Sequence, residues 1–172
     1  MAPAKHNQDI VVQITKDFKS IDVNLPKLKK LVKAVCNRFK LSKATISIAI
    51  VGDGEMQKLN KQFLNRNRTT DCLSFDLSDD ADKSAIFDFR TPIGSRKFFE
   101  LVVNAEMALR EANRRGHSGE AELALYIIHG LLHNLGFDDS RHTKTREMHR
   151  TEDEILQELG FGSVYNRKTG SR

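Results

Sequence analysis

His129 and His133 stand four residues apart in the segment IIHGLLHNLGFDDSRH, residues 127–142. On a helix that spacing sets both imidazoles on one side, a turn apart, where their nitrogens can converge on one zinc-like ion at about 2.0–2.1 Å. Spacing alone is a weak signal; the neighbouring residues strengthen it. Leu123, Leu125, Tyr126, Ile127, Ile128, Leu131, Leu132 and Leu135 wrap nearly the whole circumference, which predicts an interior helix. Two imidazoles on such a helix need partners, since an unpaired buried polar group costs about 1–3 kcal/mol. A shared cation satisfies both.

Gly130 lies inside the same helix, where glycine costs about 1 kcal/mol relative to alanine. It therefore asks for a reason, such as close approach by a substrate or another backbone. Gly136 ends the helix and lets the chain turn back, which can bring Asp138, Asp139 or His142 over the two imidazoles. A third protein ligand would leave one position open, the arrangement of a catalytic zinc site. The competing reading of the same residues is two core histidines bonded to carbonyls, with a glycine for helix packing. Helical zinc proteases carry a glutamate directly after the first histidine; here that position is Gly130, so peptide hydrolysis by that route lacks its general base.

These groups need elements to hold them. IVVQI (10–14) and TISIAIV (45–51) are apolar, β-branched runs that predict strands. Between them Leu28, Leu31, Val32, Val35, Cys36 and Phe39 recur at three and four, predicting a helix from Pro26 with lysines opposite. A short helix follows with Asp53 as N-cap and Met56, Leu59 and Phe63 on one face, then the polar turn NRNRTT and the strand CLSFDL. Residues 78–96 read as one long loop. FFELVVN ends at Asn104, a cap for AEMALREANRR, which Gly116 stops; Ser118 caps the histidine helix. The last helix, about Thr143 to Leu159, turns Met148, Ile155, Leu156 and Leu159 inward. Strands interleaved with helices predict an α+β domain built on a mixed sheet.

Composition narrows the function classes. The 172 residues fit one domain, 39% hydrophobic and 30% charged, ordinary for a soluble globule. No run nears the roughly twenty apolar residues that span a bilayer, and MAPAKHNQDI lacks the apolar stretch of a secretory signal. Cys36 and Cys72 sit in apolar patterns far from any CxxC, read as reduced core residues, and so point to a reducing, cytoplasmic compartment. The net charge of +5 makes nucleic acid a plausible partner, although solvated helix faces account for each basic patch taken alone.

HGLLHNLGFDD (129–139) resembles the HGxLHLxGYDH signature of the YbeY family of metal-dependent endoribonucleases, which act in ribosomal RNA maturation. LNKQFLNRNRTTDCLSF (59–75) is similar to a family stretch ending in TDVLSF, and LVVNAEMALREA (101–112) and MHRTEDEIL (148–156) match in order and spacing. The resemblance implies one zincin-like domain over residues 1–165, with a mixed, mainly four-stranded sheet flanked by helices and a central metal-binding helix. A disordered basic tail, 166–172, is expected after it. Carried over by position, one zinc ion takes His129 and His133, and the signature's final histidine falls on Asp139, with His142 as the alternative third ligand. Aspartate ligates zinc at about 2.0–2.2 Å but leaves the ion a weaker Lewis acid. A family arginine in the pattern YRxK falls on Leu64, so Arg66 and Arg68 become the candidates for holding RNA.

The implied activity is single-strand-specific, zinc-dependent endoribonuclease action in ribosomal RNA maturation and ribosome quality control. The implied partners are ribosomal RNA and the small ribosomal subunit or its assembly factors, with neither membrane nor DNA. A non-catalytic ribosome-associated factor with a structural metal is the first rival reading. A metalloprotease is the second, and Gly130 counts against it.

Overall fold

Along one strand Ala44, Ile46, Ile48 and Ile50 are buried while Thr45, Ser47 and Ala49 lie on the other side, the period of two expected of a pleated strand covered on both faces. That strand is the second of four in a computed structural model that describes residues 9–78 and 96–165. The loop expected over 78–96, apart from its two end residues, and the tail expected over 166–172 lie outside the described residues. In chain order the elements are β1 (Asp9–Lys16), α1 (Leu25–Arg38), β2 (Lys43–Val51), α2 (Asp53–Leu64), β3 (Cys72–Asp76), β4 (Lys97–Asn104), α3 (Ala105–Arg115), α4 (Gly119–Asn134) and α5 (His142–Glu158).

The sheet runs β1-β2-β4-β3. β1, β2 and β4 are parallel, and β3 pairs antiparallel to β4 as an edge strand. The α+β architecture with a four-stranded mixed sheet is thus as expected. Register places Ile46, Ile48 and Ile50 beside Phe99, Leu101 and Val103; this face packs on α1 and α4, and α5 joins the same core through its contacts with α4. On the opposite face Val51, Leu73 and Val102 gather with Met56 of α2.

Caps set the helix starts. Asn24 accepts from the Lys27 N–H, Asn104 from Met107 and Ser118 from Ala121, so each side-chain oxygen satisfies one orphan donor of its helix. α2 departs from expectation: Gly52 is its N-cap, and Asp53 is the first helical residue. The Asp53 carboxylate is instead taken by Arg110, Asn104 and Thr69. Of the residues expected on one face of α2, Met56 is fully buried and Phe63 is 55% exposed. It lies at the end of α2, where its ring leans on Phe75 at a centroid distance of 5.2 Å.

α4 is buried around most of its girth, as its all-round apolar pattern requires. The reason for Gly130 is packing. A Cβ there would come within 2.6 Å of the Cys72 sulfur on β3 and 2.9 Å of a Leu101 methyl on β4. Neighbouring side chains of the sheet, rather than a substrate or another backbone, demand the glycine. Both cysteines are free thiols. Burial pushes Cys36 up to about 12 and raises Cys72 as well, as suits inert core thiols. Among the described residues no helix is long and apolar enough to cross a membrane.

Candidate metal centre

Near the end of α4 the His129 and His133 rings meet edge to face, centroids 4.5 Å apart, and their Nε2 atoms lie 3.0 Å apart. Each Nδ1 already has a partner: Glu152 Oε1 at 2.7 Å for His129, and the Phe137 carbonyl at 3.2 Å for His133. Both partners are acceptors, so both Nδ1 atoms carry the proton and donate it. On neutral rings that leaves the two Nε2 atoms as acceptors, 3.0 Å apart. Two acceptors at that distance repel unless a proton or a cation lies between them. The carbonyl contact that a purely structural pair would make is present, but on the ring nitrogen turned away from the shared point.

Asp139 completes the group, its Oδ2 3.6 Å from His133 Nε2, and the three ligand atoms all fall within 4.8 Å of one another. Tetrahedral ligands at 2.0–2.1 Å from zinc stand roughly 3.3–3.4 Å apart, so His133 Nε2 has the spacing one ion needs to both other ligands, at 3.0 and 3.6 Å, while His129 and Asp139 stand within 4.8 Å and close further on an ion. Two imidazoles and a carboxylate are also a donor set that zinc accepts.

Local structure explains the convergence. The Phe137 N–H bonds the Leu132 carbonyl and the Gly136 N–H bonds His133, the paired bonds of a Schellman turn, with Gly136 at φ 90°. A left-handed residue is required at that point, and glycine adopts it without strain. The same turn delivers the Phe137 carbonyl to His133 and carries the chain back to Asp139. The Thr145 hydroxyl, in the first turn of α5, holds the Asp139 carbonyl at 2.8 Å.

Glu152 is fully buried on α5 beneath His129. Burial alone would lower the His129 pKa; the Glu152 hydrogen bond and charge, joined by Asp71 and Asp139, outweigh it and hold the imidazole above its ordinary value. A carboxylate behind a histidine fixes its tautomer and raises its basicity as a ligand.

His129 also lines a cavity of about 400 Å³, together with Arg68, Asp71, Glu111, Arg115 and Tyr126 among others. Its Arg68–Asp71 wall is loop, yet it is anchored. The Asn60 side-chain amide donates to the Arg68 carbonyl at 2.8 Å, while Asn104 donates to Thr69 and Thr70 and its N–H to the Asp71 carbonyl.

Residues 13–160 match the family described as endoribonuclease YbeY. The chain belongs to the endoribonuclease YbeY family. A family member from Sulfurovum sp. is 33% identical over 144 residues, covering 84% of this chain and 88% of its own. One from Macrococcus caseolyticus is 30% identical over 154 residues, covering 88% and 97%. Both carry the name endoribonuclease YbeY. The fold is shared with a solution structure from Thermotoga maritima at a TM-score of 0.54 and 21% identity, covering 94% of this chain and all of the other.

Against the YbeY family pattern, the sequence candidates separate cleanly. Asp139, in place of the signature's last histidine, joins His129 and His133; His142 opens α5 and is not in the group. Asp138 turns to Ser140 and Lys144, and the Ser140 hydroxyl and N–H, then Lys144, hold its carboxyl well below the usual range. Leu64, at the family arginine's position, is 48% exposed. Arg66 and Arg68 are both exposed, but Arg68 lines the cavity with His129 and Arg66 is not among the lining residues.

Sequence reading missed Glu152. A signal existed: it stands four residues after Met148 and three before Ile155, a carboxylate on the apolar stripe of α5. Such a residue has to be paired.

Proposed function

We propose that this chain is a metal-dependent endoribonuclease that cleaves single-stranded RNA in ribosomal RNA maturation and ribosome quality control, with one zinc-like ion on His129, His133 and Asp139. One observation carries the reading: the His129 and His133 Nε2 atoms stand 3.0 Å apart beside the Asp139 carboxylate, while both Nδ1 atoms are already partnered by Glu152 and the Phe137 carbonyl. The relatives' name, endoribonuclease, supports RNA as substrate. Bound at that point, the ion would supply Lewis-acid charge against the scissile phosphate and favour ionisation of a water. Glu152 and the Phe137 carbonyl keep both imidazoles aimed while substrate exchanges. Arg68, on the shared cavity wall, offers a planar fork to a neighbouring phosphate and takes the part of the arginine absent at Leu64. The working compartment in this reading is the cytoplasm, and the partners are ribosomal RNA with the small subunit or its assembly factors.

The decisive experiment joins elemental analysis to cleavage of an unstructured RNA by wild type and His133→Ala. Wild type should hold one metal equivalent and cleave, and the variant should lose both properties. Full cleavage by His133→Ala would overturn the mechanism. A wild type that binds ribosomal RNA yet never cuts it, whatever the metal, would establish the non-catalytic factor instead. Peptide cleavage is disfavoured because Gly130 stands where helical zinc proteases carry their general-base glutamate, at a position where Cys72 and Leu101 leave no room for a side chain.

A further inference from the structure

The cavity beside the metal triad is unlike a phosphate site. Arg68 and Arg115 are its two guanidinium groups, against three carboxylates, Asp71, Glu111 and Glu122. Arg115 is committed to two of these, lying 3.6 Å from Glu111 and 3.6 Å from the buried Glu122. The guanidiniums among the lining residues do not outnumber the carboxylates, so the cavity offers a phosphate no surplus of fixed positive charge. Glu111 is further held by Arg114 at 2.5 Å and Glu122 by His117 at 2.8 Å. Thr70 and the Cys72 N–H both bond Asp71 through Oδ1, which leaves Asp71 Oδ2 as the acceptor for a neutral ligand that presents N–H groups.

The cavity also has an aromatic wall on a fixed mount. Tyr165 lies flat on His149, centroids 3.9 Å apart and planes 11° from parallel. Its backbone is clamped from α5, because the Asp153 carboxylate accepts from the Val164 and Tyr165 N–H groups at 2.8 and 3.0 Å and from the Ser163 hydroxyl at 3.0 Å. The volume, about 400 Å³, lies at the small end of ligand pockets.

We infer that this cavity is a nucleobase pocket, which takes one unstacked base of the RNA strand whose neighbouring phosphate lies at His129 and His133. The inference rests on the ribonuclease reading for its source of ligand, single-stranded RNA. Guanine fits best of the four bases, since its N1–H and N2–H groups stand side by side to meet a carboxylate. The pocket also supplies a physical cause for a single-strand requirement. A paired base has its hydrogen-bonding edge occupied and both faces stacked, and it cannot enter a cavity sized for one nucleoside.

The test uses the full chain stripped of metal by chelation, so it does not depend on the histidine site. Guanosine, which has no phosphate, is titrated and followed by two-dimensional NMR, with ribose 5-phosphate titrated in parallel. Guanosine should shift the signals of residues 111 and 165, which lie apart from Arg68 in the chain, and ribose 5-phosphate should leave those two in place. Tyr165→Leu should weaken guanosine binding roughly tenfold, and Tyr165→Phe, which keeps the ring, should restore it. Circular dichroism melts of both variants check that the fold survives. Shifts with ribose 5-phosphate but none with guanosine would overturn the pocket, as would full guanosine affinity in Tyr165→Leu. Either failure leaves the metal reading standing, and loss of the metal reading leaves a positive guanosine result intact.

Discussion

At the residue scale, the ligand set works through what stands behind it. Glu152 is buried behind His129 and bonded to its Nδ1; on the proposed reading it keeps Nε2 aimed, and Glu152→Gln tests that with little change in shape. Metal affinity, read by competition with a chromophoric chelator, should fall roughly 10–100-fold, and an unchanged affinity would remove Glu152 from the site. The third ligand is separable in the same way. Elemental analysis should find metal depleted in Asp139→Ala and undiminished in His142→Ala, and the reverse pattern would move the ligand to His142. The preference for Asp139 follows from the turn. Gly136 at φ 90° reverses the chain tightly, so Asp139 arrives above the rings while His142 is already the first residue of α5.

Elements decide how firmly those residues are held. α4 presses against β3 and β4 closely enough that Gly130 has no room for a methyl group. Gly130→Ala should therefore destabilise the fold in urea melts: overpacking costs about 1–3 kcal/mol and outweighs the roughly 1 kcal/mol that alanine returns in helix propensity. Cys72→Ala in the same chain should recover part of the loss, because the nearest clash is with that sulfur. A stabilised Gly130→Ala would show that the strand yields. The Asp53–Arg110 pair joins α2 to α3 beside the Arg68–Asp71 wall. The Arg110 hydrogen bond first of all, against partial burial and with help from Asn104, holds the Asp53 carboxyl below its ordinary value. A depressed native pKa adds stability that is complete above the unfolded value, near 3.9, and is lost as pH falls through the lower native one. The gap between wild type and Asp53→Asn should thus be widest near neutrality and shrink below about pH 4. A gap independent of pH would show that the pair adds no charge-linked stability.

For the molecule as a whole, a metal that binds only the folded chain must raise its melting temperature. At one hundred times its dissociation constant it adds about 2.7 kcal/mol, worth roughly 5–10 °C in a chain of this size. Chelation should remove that increment from the wild type and leave His133→Ala unmoved; equal melting with and without zinc would mean the ion does not bind the native state. Local spacing was enough to read the strands, the helix caps at Asn104 and Ser118, the interior histidine helix and its paired imidazoles, because each depends on periods of two or 3.6 and on chemistry within a few residues. The same information misread Asp53 as a cap and left the exposure of Phe63 against Phe75 unread, since both depend on partners more than ten residues away. Glu152 beneath His129, Cys72 against Gly130 and the cavity wall formed by residues 68–71 join segments 23 to about 60 positions apart. Nothing along the chain registers such pairs; only the packing of α5 and β3 on α4 brings them within reach.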